Sequence, residues 1–439
     1  MSEKSRIGDH AKVRRGASPR PIGDPKYFGG TVGWVRISDA TSARKYLRKT
    51  EQYVSPLGES LSVRVDRGDL IMSICATIGR PVIVDMPACI HDGFVQFYEV
   101  NNDDKEYMYY LLQFHEKDLE RKGQPGTQVN LNTTIVEDFE AFFPTSLAEQ
   151  RKIARILSTV DAVIEKTEAA IAKYKAIKTG MMHDLFTRGI DLKTGKLRPR
   201  YEDAPELYKK SELGCGSTGL TNQVPREWEV VSVGEMIHIK HGYSFKGQFF
   251  SDEPTDFILL TPGNFNVNGE LYFVERNTKY YTGEIPSEFI FKNGDLLVVM
   301  TDLTQDMNIL GNVVKLKSTS KVLHNQRIGR IEITDQRVCS DYMLVVLNTP
   351  FSKVNVKKTA TGTTVRHTSP NNIYKGVIPL PKKSEQIDIT KKVQAIDRII
   401  FIERLVLSKH QQLKSALMAD LLTGKVLVKY NENETVEVV

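Results

Sequence analysis

The feature that most constrains this chain is a proline-free stretch, residues 147–188, whose only glycine is Gly180. It reads LAEQRKIARILSTVDAVIEKTEAAIAKYKAIKTGMMHDLFTR. Apolar residues occupy three positions in every seven, the pattern of a helix that buries one face. About 40 residues at about 1.5 Å per residue would form a rod of roughly 60 Å. Because a helix of that length is rarely stable alone, it needs a partner that covers its apolar face.

The predicted contact seam of this helix follows a heptad. One seam position holds Ile153, Val160, Tyr174 and Met181, with Thr167 as a polar exception, and the position three residues further on holds Ile156, Val163, Ala170 and Ile177. A further row, Leu157, Ile164, Ile171 and Leu185, broadens the stripe. The residues predicted to make the helix-pair contacts are Ile153, Val160, Ile164, Ile171, Tyr174 and Ile177.

A second version of the stretch lies at residues 385–424. Without any gap, the residues Glu149, Gln150, Ile153, Asp161, Ile164, Lys173, Lys178, Met182, Asp184, Leu185 and Thr187 recur as Glu385, Gln386, Ile389, Asp397, Ile400, Lys409, Lys414, Met418, Asp420, Leu421 and Thr423. The seam predicted for this helix comprises Ile389, Ile396, Ile400, Leu407, Leu413 and Leu417. Thr167 is matched by Glu403, and a polar residue in a seam sets register at some cost in stability. We interpret the two stretches as an internal duplication.

The segments that precede the two helices also correspond. GDHAKVRRGASPR, from Gly8, aligns with GEMIHIKHGYSFK, from Gly234, and RGDLIMS aligns with NGDLLVV. The loop RKGQPGTQVN, from Arg121, aligns with VKKTATGTTVR, from Val356. Short β-branched runs such as Leu70–Ile74 and Phe94–Tyr98, together with a helical pattern over Asp103–Lys122, predict a mixed segment. The repeated unit is therefore a globular domain followed by a long helix.

The predicted organisation is an α+β chain of two globular α/β domains separated by two long antiparallel, coiled-coil-like helices, with an internal pseudo-twofold repeat. Residues 1–145 form the first domain, 146–188 the first long helix and 189–226 a linker. The second domain, the second long helix and a C-terminal tail are predicted at 227–382, 383–424 and 425–439. Because Gly, Pro and charged residues dominate the linker, we expect it to run over the surface.

Composition excludes several classes of protein. The 60 Lys and Arg residues exceed the 54 Asp and Glu residues by six, an excess that permits nucleic-acid binding without requiring it. No apolar run approaches the ~20 residues of a membrane span, and the N-terminus lacks the apolar core of a signal peptide. Cys75, Cys89, Cys215 and Cys339 show neither CxxC spacing nor the density of a disulfide scaffold. We expect no membrane association and a reducing, cytoplasmic location.

Motifs for catalysis are absent from the sequence. It has no GxxxxGK[ST] phosphate loop, and no GxGxxG follows a strand. His238 and His241 have the spacing of a ligand pair, but no further ligand lies near them in the sequence, so we interpret them as ordinary polar residues. Asp302 and Asp306 are interpreted as polar loop residues. The chain is predicted not to be an enzyme and to bind no metal or cofactor itself.

Basic and amide-bearing loops are the predicted nucleic-acid contacts, because Lys and Arg neutralise phosphates, whereas Arg, Asn and Gln can read base edges. In the first domain the candidates are Arg14, Arg15, Arg20, Arg36, Arg44, Lys45, Arg121, Lys122, Gln124, Gln128 and Asn130. In the second they are Lys240, Lys246, Lys357, Lys358, Thr363, Arg366 and His367. A solvated surface is the alternative reading of each single residue. The loop around Gly126 and Gly362 is favoured because it recurs in both halves.

With the duplicated EQRKIARILSTVDAVIEKTEAAIAKYKAIKTGMMHDLFTRGID in view, the chain resembles the specificity subunit of type I restriction–modification systems. The EQ start and DLFTRG end of the first long helix, and the pieces VRRGASPRP and VPREWEVVSVGE, carry the resemblance, which covers essentially the whole chain. The second helix departs from it at Asp388, Phe401 and Glu403, and LTGK replaces FTRG.

The resemblance implies two target-recognition domains that each read one half of a split sequence of double-stranded DNA. It also implies that the helix pair sets the spacer and docks two methyltransferase subunits, which restriction subunits join. S-adenosylmethionine, ATP and Mg would then belong to those partner subunits. Two alternatives remain open: a duplicated coiled-coil scaffold that binds only proteins, and a methyltransferase or nuclease without a recognisable motif.

If the rigid helix pair fixes the distance between the two half-sites, inserting a few residues into both long helices should lengthen the unread spacer and leave both half-sites unchanged. Sequencing the modified adenines in cells that carry the original and the lengthened chain would measure the spacer. An unchanged spacer would contradict this role of the helices.

Overall fold

The computed structural model describes residues 4–100, 103–123, 130–211 and 223–430. The chain divides into two compact units, Met1–Ala170 with Glu403–Val439 and Ile171–Ile402. We refer to them as the first and second unit. Each contains one globular domain and part of both long helices. The architecture is therefore mixed α/β with two long helices.

The globular domain of the first unit is built mostly from short strands. Its strands are β1 (Lys4–Arg6), β2 (Lys12–Arg15), β3 (Phe28–Val35), β4 (Tyr46–Leu47), β5 (Gln52–Val54), β6 (Val63–Val65), β7 (Leu70–Ser73), β8 (Pro81–Val84), β9 (Ala88–Ile90), β10 (Phe94–Tyr98) and β11 (Glu140–Phe142). Its helices are α1 (Ile7–His10), α2 (Ile37–Ser42), α3 (Pro56–Ser60), α4 (Lys105–Phe114), α5 (Glu116–Lys122) and α6 (Thr133–Glu137). The first long helix, α7, follows at Leu147–Thr187.

This domain contains two main β-sheets. The larger has the order β2-β10-β7-β8-β4 and the smaller β5-β3-β9-β6, while β1 pairs with β11. Strands β7 and β8 are buried along their whole length, as expected of apolar runs in a sheet covered on both faces. Helix α4 begins where the Asp104 carboxylate accepts a hydrogen bond from the Tyr107 backbone N–H. The helical pattern predicted over Asp103–Lys122 is therefore present, divided at His115 into α4 and α5.

The second unit has a corresponding set of elements. Its strands are β12 (Tyr208–Lys210), β13 (Gln223–Pro225), β14 (Glu229–Ser232), β15 (Ile237–His241), β16 (Phe250–Ser251), β17 (Phe257–Leu259), β18 (Lys279–Tyr281), β19 (Leu296–Val299), β20 (Thr301–Asp302), β21 (Val313–Lys315), β22 (Lys321–Leu323), β23 (Ile328–Ile333), β24 (Arg366–His367) and β25 (Val377–Leu380). Its helices are α8 (Val233–Met236), α9 (Ser340–Leu347), α10 (Pro350–Lys358) and α11 (Pro370–Tyr374), followed by the second long helix, α12 (Lys383–Leu421).

The sheet order of the second domain repeats the centre of the first. Strands β15-β23-β19-β21 occupy the places of β2-β10-β7-β8, and the β14–β25 pair occupies the place of β1–β11. A further sheet, β16-β18-β17-β22, has a small aromatic core around Phe245 and Tyr281. The framework is thus alike, while the segments inserted between its strands differ.

Within each unit the two long helices run antiparallel. In the first unit, Ile153 and Leu157 share a core with Met418 and Leu421, and Asp161 forms an ion pair with Lys414 at 2.7 Å. In the second unit, Leu185 shares a core with Ile389 and Val393, and Lys178 pairs with Asp397 at 2.6 Å. Residues near the start of α7 therefore contact residues near the end of α12, and residues near the end of α7 contact residues near the start of α12.

The seam between the helices consists of residues spaced alternately four and three apart. On α7 it comprises Ile153, Leu157, Val160, Ile164, Thr167, Ile171, Tyr174, Lys178, Met181 and Leu185, all buried or half-buried. On α12 it comprises Ile389, Val393, Ile396, Ile400, Glu403, Leu407, His410, Lys414, Leu417 and Leu421, also buried or half-buried. The two sets occupy equivalent positions, so Thr167 and Glu403 do lie in the seam as predicted.

Two seam predictions are wrong. Ile177 is 45% exposed and Leu413 is 47% exposed, so neither lies in the contact. After most first seam residues, α7 and α12 carry an apolar residue three positions on, four positions on or at both places, but Lys178 and Lys414 stand beside Ile177 and Leu413 at the fourth position. Periodicity alone does not say which of the two rows faces the partner. The row four residues on is the one that packs in the seam, whereas Val163, Ile177, Ile399 and Leu413 of the row three residues on are exposed.

A buried glutamine at an equivalent position joins each domain to its long helix. The Gln150 amide donates to the Pro144 carbonyl at 2.9 Å, and its oxygen accepts from the Asp104 N–H at 2.8 Å. Gln386 makes the equivalent bonds, to the Pro381 carbonyl at 2.8 Å and from the Cys339 N–H at 2.9 Å. Both amides are almost fully buried. Since buried amides are stable only when their hydrogen bonds are made, they fix where each domain meets its helix.

A second fastening is present in the second unit. The buried Glu385 carboxylate contacts Arg198 Nη1 at 2.5 Å and Nη2 at 3.1 Å, and it accepts from Trp228 Nε1 at 3.0 Å. It also accepts from the Ile190 backbone N–H at 2.7 Å. Gly189, with φ of +67°, lies so close that a Cβ atom would stand 2.3 Å from this carboxylate. The chain that leaves α7 is therefore bound to the start of α12.

We predicted that residues 189–226 run over the surface, and this prediction is wrong for part of the segment. Ile190, Arg198, Tyr208 and Val224 are buried, and β12 pairs with β13. Arg198 and Tyr208 look like surface residues in the sequence, but their polar atoms are satisfied by Glu385 and by the Pro199 carbonyl. The described residues of the segment belong to the second unit rather than connecting two units freely. Residues 212–222, with Cys215, lie outside the described residues, as do 431–439 of the predicted tail.

No helix of the described residues is both long enough and apolar enough to cross a bilayer. Cys75, Cys89 and Cys339 are free thiols, and burial raises the pKa of Cys89 to about 11. A thiol with a raised pKa is protonated and unreactive at neutral pH.

Replacing Glu385 by alanine should lower the free energy of unfolding of the second unit by about 3–5 kcal/mol, because the buried Arg198 guanidinium loses its counter-charge. Urea unfolding followed by circular dichroism would measure the loss. The matched control is Glu149→Ala, at the equivalent position of α7. Burial raises the pKa of Glu149, which has no cationic partner among the described residues. Its removal should cost about 1 kcal/mol or less. Equal losses would contradict the role given to Glu385.

Candidate nucleic-acid interface

Four chain segments of the second domain meet side by side where its central strands end. β15 ends at His241, and the Tyr243 N–H then donates to the His324 carbonyl at 2.8 Å. The Met300 N–H donates to the Arg327 carbonyl, and Thr301 pairs with His367 across β20 and β24. Residues 241–243, 324–327, 300–302 and 366–368 are thus consecutive neighbours. We call this group the strand-end edge.

The first domain has a strand-end edge with the same order. The Ala17 N–H donates to the Ile90 carbonyl at 3.1 Å, and the Ile74 N–H donates to the Gly93 carbonyl at 2.8 Å. Cys75 bridges to Asn130, and the Leu131 N–H donates to the Ile74 carbonyl. Residues 15–17, 90–93, 74–75 and 130–131 therefore occupy the places of the four segments in the second domain. One backbone arrangement is present in both domains, with different side chains on it.

Glycine is required at the same point of both edges. A Cβ atom on Gly16 would lie 2.2 Å from the His91 carbonyl oxygen, and one on Gly242 would lie 2.1 Å from that of Asn325. Neither glycine is among the predicted contact residues. The signal that could have found them is their shared place in the aligned segments from Gly8 and Gly234. Close backbone approach at these points holds the two neighbouring segments together.

The histidines beside these glycines are structural. His91 Nδ1 accepts from the Gly93 N–H at 2.9 Å, and its ring meets Phe94 edge to face. His324 Nε2 lies 2.9 Å from the Ile328 carbonyl, and its ring lies 4.4 Å from that of Phe291. Burial lowers the pKa of His91, and it lowers that of His324 to about 4. Both rings are therefore neutral at pH 7 and add no positive charge to the edge.

The recurrent loop predicted around Gly362 forms a closed turn at the edge of the second domain. Thr361 and His367 exchange two backbone hydrogen bonds of 3.0 and 2.9 Å. Gly362 has a φ of +92°, and a Cβ there would lie 2.0 Å from the Val365 carbonyl oxygen, so only glycine fits. Arg366 Nη1 donates to the Gly362 carbonyl at 2.6 Å. Thr363 is exposed on the turn.

The corresponding loop of the first domain lies largely outside the described residues. This holds for Gln124 and Gln128, whose predicted contacts therefore stay predictions, and for Gly126. Asn130 is described, is exposed and lies in the edge beside Cys75. Arg121 and Lys122 are exposed at the end of α5, where Arg121 pairs with Asp118 at 3.2 Å.

Most candidate cations of the first domain are already neutralised. Arg20 pairs with Asp92 at 3.1 Å, and ion pairs also join Arg36 to Glu51 and Arg44 to Glu168. Two candidates differ, because their partners carry no charge. Arg14 Nε donates to Gln96 Oε1 at 2.7 Å, and Arg15 Nε donates to the Asp92 carbonyl at 2.7 Å. Both side chains are exposed, and Arg15 lies in the strand-end edge.

Lys45 is a correction to the predicted set. Its side chain is buried, at 7% exposure, and its ammonium lies 2.8 Å from Glu106 Oε2. The rings of Tyr46, Tyr109 and Tyr110 surround it at 4.9–5.8 Å. A lysine enclosed in this way cannot reach a phosphate, so the DNA contact predicted for Lys45 is wrong. Its partner Glu106 lies on α4, distant from Lys45 in the chain, so the pairing was not visible in the sequence.

The candidate cations of the second domain are unpaired in the described residues. Lys246, Lys357 and Lys358 are exposed, and Lys240 lies 4.9 Å from the centre of the Phe289 ring. Within the described ranges, none of these four lysines has a carboxylate partner, nor has Arg366. Arg327 is also exposed and unpaired there and lies in the strand-end edge, although it is not among the predicted residues. Unpaired cations are available for phosphates, whereas paired ones are not.

Asp302, one of the carboxylates noted in the sequence, has a structural role. The buried Asp302 accepts hydrogen bonds from the backbone N–H groups of Ile309 and Leu310 and from both donors of Thr304. It therefore shapes the loop that follows β20. In the part of the chain that the structure describes, no three His, Cys, Asp or Glu side chains are grouped as a metal would require.

Comparisons with known proteins agree with this architecture. The sequence profile of the family described as the type I restriction modification DNA specificity domain matches residues 2–174 and 225–409. The specificity subunit of the type I restriction enzyme MjaVIII from Methanocaldococcus jannaschii is 24% identical over 432 residues, covering 97% of this chain and 93% of the relative. The MjaX specificity subunit of the same organism, named as putative, is 26% identical over 334 residues, covering 75% of this chain and 70% of the relative.

Solved structures share the fold. The S subunit of a type I restriction–modification system from M. genitalium superposes with a TM-score of 0.56 at 13% identity, covering 96% of both chains. A chain from a study of complex assembly and conformational transition of the type I system gives 0.53 at 13% identity, covering 97% of this chain and 98% of that chain. Since the family profile matches most of its length, in two segments that each span one globular domain, this chain belongs to the type I restriction–modification DNA specificity family.

Proposed function

We propose that this chain is the non-catalytic specificity subunit of a type I restriction–modification complex and that each globular domain reads one half of a bipartite DNA target. The observation that carries the proposal is the pair of strand-end edges. Each has the same backbone arrangement but different exposed groups, with Arg15 and Asn130 in the first domain and His241 and His367 in the equivalent places of the second. Different side chains on one scaffold suit an asymmetric target.

The finer arrangement proposed is a pseudo-twofold repeat of the two units. Its support is the equivalent hydrogen bonding of Gln150 and Gln386 and the equivalent ion pairs Asp161–Lys414 and Lys178–Asp397. Because duplex DNA is itself dyadic, two domains related in this way can read half-sites about one turn, ~34 Å, apart. The long helices would then set the length of the unread spacer.

The outward apolar row of the long helices is the proposed docking surface for two methyltransferase subunits. In the first unit it includes Val163 and Leu413, and in the second Ile177 and Ile399, all at least 37% exposed. These residues stand at equivalent places on α7 and α12, so two identical partners could bind alike. Apolar rows left uncovered on a chain of this kind mark protein contacts. Restriction subunits would join the complex, and S-adenosylmethionine, ATP and Mg would be bound by the partners.

The alternative of a protein-only scaffold makes a different prediction from DNA reading. A scaffold would not bind duplex DNA with an affinity that falls as salt rises, whereas phosphate contacts require such a fall. The unpaired cations of the second domain and the family membership favour DNA reading.

Replacing Arg327 by glutamine should weaken DNA binding and reduce the slope of log Kd against log salt by about 0.9, the contribution of one phosphate contact. Fluorescence anisotropy with a labelled duplex over a salt series would measure it. The matched control is Arg337→Gln, because Arg337 is already paired with Asp335 at 2.9 Å and Glu229 at 2.6 Å. A slope that is unchanged in Arg327→Gln, or reduced as much in the control, would count against a phosphate contact at the edge.

Sequencing the modified adenines in cells that carry this chain with its methyltransferase partner should reveal one split motif with two defined halves and an unread spacer. The double substitution Thr363→Ala with His367→Ala should relax one half and leave the other unchanged, because both residues belong to the second domain. Thr278→Ala, on the same domain but in a buried position, serves as the control. Relaxation of both halves by the first pair would show that the domains do not read independently.

A further inference from the structure

The first domain is joined to the long helices by a polar cluster in which Lys45 and Tyr110 are buried and Glu106 and Asp161 are half-buried. Lys45, which was excluded as a DNA contact, is at its centre. Its ammonium pairs with Glu106 Oε2 at 2.8 Å and lies 3.4 Å from Ser158 Oγ on α7. The Tyr46 hydroxyl donates to the other oxygen of Glu106 at 2.5 Å. The cluster thus begins in the globular domain and reaches the first long helix.

The same cluster continues onto the second long helix. The Tyr110 hydroxyl, from α4, donates to Asp161 Oδ2 on α7 at 2.9 Å. The other oxygen of Asp161 pairs with Lys414 on α12 at 2.7 Å. Lys414 in turn donates to Gln113 Oε1 on α4 at 2.9 Å. Helix α4 therefore makes directional contacts with both long helices at one place.

The second unit has the ion pair but not the cluster. Lys178 and Asp397 correspond to Lys414 and Asp161, yet their side chains are 33% and 48% exposed. Tyr107 and Tyr342 donate equivalent hydrogen bonds, to the carbonyls of Phe142 and Pro379, and so align α4 with α9.

That alignment places Val345 where the first unit has Tyr110, and Asn348 where it has Gln113. Val345 cannot hydrogen-bond through its side chain. The Asn348 amide is used within its own domain, by the Val313 and Leu344 carbonyls. In the described residues of the second unit, these two positions of α9 therefore give the helix pair no side-chain hydrogen bond equivalent to those of Tyr110 and Gln113.

Directional and apolar contacts constrain a domain differently. A buried network of charged hydrogen bonds is stable only in one geometry, because each displaced group would lose its partner in a low-dielectric interior. Apolar contacts are not directional and tolerate small rotations. A domain held by the first kind of contact is fixed in angle on its helices, and one held by the second kind can adjust.

We propose that Lys45, Tyr110 and Asp161 are positioning residues that fix the angle of the first domain on the long helices, and that discrimination between spacer lengths depends on them. This rests on the proposed function, since it assigns a role within the reading of two half-sites at a set distance. None of the three residues lies in the strand-end edge of the first domain.

The test compares Tyr110→Phe and Asp161→Asn with Asp397→Asn, the substitution equivalent to Asp161→Asn in the second unit. The full chain with its methyltransferase partner is given three duplexes that carry both half-sites, with the natural spacer or one base pair fewer or more. Methylation rates give the preference for the natural spacer. That preference should fall about tenfold in Tyr110→Phe and Asp161→Asn, the ratio that corresponds to about 1.4 kcal/mol. Asp397→Asn should retain it.

Thermal unfolding of each variant separates positioning from stability. Tyr110→Phe keeps the buried ring and should stay folded. A variant that is less stable but equally selective would show that the cluster only stabilises the unit, and this would overturn the proposal. An equal loss of selectivity in Asp397→Asn would also overturn it. If the wild-type chain accepted all three spacers equally, the proposed function itself would fail. If the wild-type chain preferred the natural spacer and the variants kept that preference, only the positioning role of the cluster would fail.

Discussion

The burial of one row of each long helix against the other is the interaction on which the rest of the structure depends. Helices of 41 and 39 residues cannot be stable in water with their apolar sides open. In each unit, part of one helix covers part of the other, and the seam alternates steps of four and three residues. Polar seam residues interrupt both helices at equivalent places, Thr167 and Glu403, and the ion pairs of Lys178 and Lys414 fix the register further. Each globular domain is then attached to a helix pair whose register is already set.

Attachment of the domains uses polar atoms rather than apolar area alone. Gln150 and Gln386 bond the backbone at equivalent places, so the junction of sheet, short helix and long helix is alike in both units. Beyond this shared junction the units differ. The second unit adds the buried Glu385–Arg198 pair, and the first adds the Lys45 cluster. Because buried charges are costly unless fully paired, each of these additions specifies a geometry more than it adds stability.

The candidate interface shows the same division between a constant backbone and variable side chains. Close approaches at Gly16 and Gly242 hold the segments of each strand-end edge together, and the neutral rings of His91 and His324 pack beneath them. The exposed groups on this frame differ in charge as well as in type. Most candidate cations of the first domain are paired with carboxylates, while the candidate cations of the second domain are unpaired in the described residues. A chain that must read two unlike half-sites can therefore change its surface without changing its fold.

The sequence by itself determined the two long helices and the family, because periodicity, recurring residues and missing helix breakers are local properties. It also located the turn at Gly362, where only glycine fits. Only the tertiary structure decided which helix row packs, and it placed Ile177 and Leu413 outside, since two apolar rows on one helix satisfy the same heptad. It likewise decided that Lys45 and Arg198 are buried rather than exposed, because the carboxylates that neutralise them, Glu106 and Glu385, are distant in the chain. Charge in a sequence is local, whereas the availability of that charge depends on contacts between distant residues.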